Sequence, residues 1–103
     1  MIARRRLPTR RYSENFNTEF HGPKYAVTFT RFDDGTLAEV FVSNHKAGNA
    51  SDVAARDAGI LLSFCLQHGV AAQTIARALS RNSDGSAGGL MAAVLDEITE
   101  GWS

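Results

Sequence analysis

Apolar and polar residues alternate along Lys24 to Phe32 (KYAVTFTRF) and Thr36 to Ser43 (TLAEVFVS), and both stretches are rich in β-branched and aromatic residues. Asp33-Asp34-Gly35 between them supplies turn chemistry, so the pattern predicts a β-hairpin. Side chains alternate faces along a strand, which puts Tyr25, Val27 and Phe29 opposite Lys24, Thr28 and Thr30 in the first arm. In the second arm Ala38, Val40 and Val42 oppose Leu37, Glu39 and Phe41, a pattern that implies partial cover on both faces. Looser alternation over Asn15 to Phe20, closed by His21-Gly22-Pro23, predicts a short strand before the hairpin.

Beyond residue 50 the period changes. Ser51 is a good N-cap residue, Asp52 suits the positive end of a helix dipole, and Ala54, Ala58, Leu61, Leu62 and Cys65 recur at helical spacing. Ile60, Phe64 and Leu66 widen that stripe, which predicts a core helix to about Gln67, ended by Gly69. A second helix is expected from Ala71 to Ser80 with Ile75, Ala78 and Leu79 inward. A third is expected from Gly88 or Gly89 to Glu100 with Met91, Val94, Leu95 and Ile98 inward. The order β-β-β-α-α-α predicts an α+β fold, a small antiparallel sheet of about three strands followed by three helices packed on one sheet face.

The chain has 103 residues, 44% of them apolar and 21% charged, which fits one globular domain and leaves no room for a second. Its formal charge of zero hides an asymmetry: Arg4, Arg5, Arg6, Arg10 and Arg11 crowd the first 11 positions, and the remainder is acidic. Residues 1–11 therefore read as a basic flexible arm on a domain spanning 12–103. Such an arm is either a solvated tail or a phosphate-seeking segment that binds nucleic acid through those five arginines. One cysteine, no bilayer-spanning apolar run and an Arg-rich start without an apolar signal core predict a cytoplasmic protein that does not enter membranes.

Chemistry is sparse. Cys65 and His68 form a C-x-x-H pair, short of the three or four ligands a zinc site needs, so no metal or other cofactor is expected and Cys65 reads as a core residue. Asp33 and Asp34 belong to a turn, and Asp96, Glu97 and Glu100 to a solvated helix face. The loop before the first helix is the most site-like segment. There Gly48 permits close approach, Lys46 adds charge, and Asn49 and Ser51 flank backbone N–H groups able to receive a phosphate-bearing ligand. Trp102 is either docked against the sheet or exposed to a partner. A sheet edge and two apolar faces over Thr36 to Ser43 leave surface for a second copy, so a homodimer is expected.

The succession Asp34-Gly35, Glu39-Val40-Phe41-Val42, Lys46-Ala47-Gly48, Ala55-Arg56-Asp57-Ala58, Leu62-Ser63, Leu66-Gln67-His68-Gly69-Val70 and Ala76-Arg77-Ala78-Leu79 resembles the TSCPD-type domain. That domain occurs near the C-terminus of adenosylcobalamin-dependent ribonucleotide reductases and as small free-standing proteins. The resemblance implies an α+β domain tied to the reductase or to nucleotide metabolism, with a reductase subunit as the expected partner. The Thr-Ser-Cys-Pro-Asp run, the paired cysteines of the reductase tail and the catalytic barrel are all absent, so no catalytic or cobalamin-binding residue carries over. The expected role is a non-catalytic accessory or regulatory module, with a small nucleic-acid-binding protein as the alternative.

Overall fold

The computed structural model describes residues 4–8, 12–44 and 49–101. Three strands, β1 (Ser13–Glu19), β2 (Lys24–Arg31) and β3 (Leu37–Asn44), are followed by α1 (Ala50–Gln67), α2 (Ala72–Ala78) and α3 (Leu90–Gly101). The sheet is antiparallel in the order β1-β2-β3, with Phe16 opposite Val27 and Val27 opposite Val42. The chain divides into two units, Met1–Val70 and Ala71–Ser103.

In the first unit, alternation does what the sequence predicts. Tyr25, Val27 and Phe29 share a buried face with Ala38, Val40 and Val42, and Phe16 meets Phe29 edge-on with ring centroids 6.1 Å apart. At the hairpin turn Gly35 takes φ +87°, a conformation that a side chain disfavours. The Asp34 carboxylate accepts from both the N–H and the hydroxyl of Thr36, at 3.0 and 2.6 Å. Asp84-Gly85-Ser86 in the second unit repeats this device, with bonds of 2.9 and 2.6 Å to the Asp84 carboxylate.

Helix α1 departs from the expected orientation. Its buried residues are Asp52, Ala55, Gly59, Leu62, Ser63, Leu66 and Gln67, while Ile60, Leu61, Phe64 and Cys65 are exposed. The reason lies in β3, whose N–H and C=O groups on the side away from β2 have no strand to bond among the described residues. Helix α1 supplies side chains to them instead. Ser63 Oγ accepts from Val40 N at 2.9 Å and lies 3.0 Å from Val40 O, the Asp52 carboxylate accepts from Asn44 N at 2.9 Å, and Gln67 Nε2 donates to Ala38 O at 3.3 Å. Buried backbone groups must be paired, so the helix turns polar residues inward. Gly59 permits the approach: a Cβ there would stand 2.9 Å from Val40 O and 3.3 Å from Val42 N.

The helix start also differs. Asn49, not Ser51, is the N-cap, accepting from Asp52 N at 2.8 Å, and Asp52 is buried in use rather than merely lying near the dipole. Helix α2 buries Ala76; Ile75 and Leu79 are half-buried and Ala78 is exposed, so its inward face is displaced by one residue from the expected one. Helix α3 buries Ala92, Val94, Leu95 and Ile98, close to expectation.

Candidate protein-contact surface

The inversion of α1 leaves Val53, Ile60, Leu61 and Phe64 on its outward side, and Leu61 is 66% exposed. At about 100° per residue these positions fall within one arc, together with Asp57. Phe41 of β3, 44% exposed, extends the patch onto the outward face of the sheet. Between helix and sheet lies a cleft of about 290 Å³ lined by Ala26, Thr28, Phe41, Ser43, Arg56 and Ile60. Arg56 is fixed at its rim because its Nε bonds to the buried Asp52 carboxylate at 2.9 Å. A contiguous apolar face of this kind, with a cleft and a charged rim, is chemically suited to protein contact.

The segment of residues 4–8 differs from a freely solvated arm at two of its arginines. The Arg5 backbone N–H donates to Gln67 O, and the Arg5 guanidinium stacks 3.9 Å from the Phe32 ring centre and bonds to Asp34 at 2.9 Å and Thr36 at 3.2 Å. Arg4 Nε donates to Gln67 Oε1 at 2.6 Å, and the Arg4 guanidinium lies 5.0 Å above Phe64. An arginine offered an aromatic face and an acceptor gains from both, which draws the segment onto the domain. Arg6 is exposed, and Arg10 and Arg11 lie outside the described residues.

The candidate anion loop divides similarly. Lys46 and Gly48 lie outside the described residues, Ser51 is exposed in the first turn, and the Asn49 side-chain oxygen already occupies the Asp52 N–H. The Asp52 carboxylate in that same turn opposes a second anion. Trp102 also lies outside the described residues. Cys65 is exposed rather than part of the core, because the inward positions of α1 belong to Ser63, Leu66 and Gln67; His68 Nδ1 lies 2.8 Å from Phe64 O.

In the second unit, a depression of about 790 Å³ is bordered by Arg77, Arg81, Ser86, Asp96 and Glu100. Its central charges bind each other. Arg81 grips Asp96 with two bonds of 2.6 and 2.9 Å and also donates to Ala76 O. The hydrogen bonds from Arg81 lower the Asp96 pKa, and those to Asp96 raise that of Arg81. The pair staples the loop after α2 to α3, which sequence reading missed because the two residues are far apart in the chain. Asp34 is held down to about 2, chiefly by the Thr36 hydroxyl, then by the Thr36 N–H and Arg5. Among the described residues no three His, Cys, Asp or Glu side chains are grouped to hold a metal ion, and no helix is long and apolar enough to cross a membrane.

Compared with known families, the chain matches the TSCPD domain over residues 3–100. No curated protein and no solved structure matches it.

Proposed function

Because the chain belongs to the TSCPD domain family, we propose that it is a non-catalytic accessory module related to the C-terminal domain of ribonucleotide reductases, acting through protein contacts. The observation that carries this reading is the outward apolar face of α1 continued by Phe41. The helix commits its polar residues to the chain's own sheet and leaves its Ile, Leu and Phe residues on the outside. Leaving large apolar side chains in water brings no stability to the domain, so a partner is the simplest account of them. The family relationship supports a reductase subunit as that partner. The arrangement of titratable groups favours a structural role for them. Asp34 and Asp84 accept from the hydroxyls of Thr36 and Ser86 within their own turns, and Asp96 and Arg81 bind each other between elements.

The test is affinity capture from the native cell at physiological salt, with the wild-type chain and Leu61→Glu compared side by side. A reductase subunit recovered with the wild-type chain and lost with the variant is the expected result. Equal recovery of the same proteins by both chains would remove the α1 face from the function. Steady turnover of nucleotide substrates by the isolated chain would overturn the non-catalytic reading.

A further inference from the structure

The outward face of α1 can be matched against a second copy of itself. Asp57 stands three residues before Ile60, and Phe64 three residues after Leu61, so a dyad between Ile60 and Leu61 sets Asp57 of one copy opposite Phe64 of another. Phe64 does not stand alone, because the Arg4 guanidinium lies 5.0 Å over its ring. An antiparallel pair of α1 helices therefore brings each Arg4 toward the other copy's Asp57. Asp57 is exposed, and among the described residues none forms an ion pair with it. The charge match occurs twice by symmetry, as an isologous contact requires. From this geometry we infer that the occupant of the α1 face is a second copy of the same chain, bound by antiparallel α1 pairing.

The inference rests on the reading of this face as a protein-contact surface and places a second copy there instead of the reductase subunit. Shape adds a second argument. Leu61 is the most exposed large apolar residue of α1, and in the antiparallel pair it lies against Ile60 of the other copy, which lines the 290 Å³ cleft together with Phe41.

Sedimentation of the full chain is the experiment, with charge reversal as its control. The wild-type chain is expected to be dimeric at about 100 μM, and Leu61→Glu monomeric with unchanged circular dichroism. Asp57→Lys alone sets Arg4 against a second cation, and Arg4→Glu alone sets two acids together, so each should weaken self-association by about tenfold or more. Mixed one to one, the two variants bring opposite charges together again and should form a heterodimer stronger than either variant's self-association. A contact that pairs residue 4 of one copy with residue 57 of the other predicts that rescue. A monomeric wild-type chain, a dimer indifferent to Leu61→Glu, or failure of the mixture to recover would overturn the pairing. A monomer that still captures a reductase subunit through Leu61 would refute the second copy and leave the accessory reading intact, whereas a dimer without such capture would do the reverse.

Discussion

Replacing Gly59 by alanine separates the close packing of α1 on β3 from ordinary helix propensity. In an open helix the change stabilises by about 1 kcal/mol. In α1 the new Cβ would stand 2.9 Å from Val40 O, 3.3 Å from Val42 N and 3.4 Å from Phe41 Cα, all backbone atoms that cannot rotate away. Restoring ordinary contact moves helix and strand apart by about half an ångström, to the limit of a useful hydrogen bond for Ser63 with Val40 N, now 2.9 Å. Overpacking costs about 1–3 kcal/mol and the weakened bonds about 1 kcal/mol more, against the gain in propensity. The net expectation is a loss of roughly 2 kcal/mol, or about 10 °C in thermal midpoint for a domain of this size. Thermal and urea unfolding of Gly59→Ala, with the exposed Ala54→Gly as the propensity reference, provide the measurement. A Gly59→Ala chain more stable than wild type would refute the close approach of α1 to β3.

Ser63→Ala removes the partner of Val40 N and is expected to destabilise by about 1–3 kcal/mol in urea unfolding, although the substitution raises helix propensity. For Asp34, folding lowers the carboxyl pKa from 3.8 to about 2, so its contribution to stability is fully present above pH 4 and is lost as pH falls toward 2. In Thr36→Val the midpoint of the Asp34 carboxyl, followed by NMR, should move back toward 3.8; a wild-type midpoint already there would contradict the turn geometry.

What the sequence made readable was what depends on neighbours. The hairpin follows from alternation around Asp33-Asp34-Gly35, and the buried stripe of α3 from Val94, Leu95 and Ile98 at helical spacing. The face of α1 was misjudged because hydrophobicity marks the inward side only when the surface beneath is itself apolar. Below α1 lies a row of backbone polar groups, and Asp52, Gly59, Ser63 and Gln67 answer them. The Arg5 contacts with Phe32 and Asp34 and the Arg81 bonds to Asp96 join residues 15 or more positions apart. Nothing local announces such pairs. The candidate contact surface was thus present in the sequence as Ile60, Leu61 and Phe64, with the opposite environment assigned to it.

The lateral cover of β3 by α1 also determines how copies of the chain can assemble. Among the described residues no strand pairs with the second edge of β1, so the sheet has one growth front, and it carries Glu14 and Glu19. A molecule with two self-complementary surfaces, one on a helix and one on a strand, would link alternately through each and run into an open filament. Glu14 and Glu19 place a negative charge on each face of the remaining edge, which disfavours that second linkage. If copies pair through α1 as proposed, assembly would end at that pair, with the acidic strand as a stop to polymerisation.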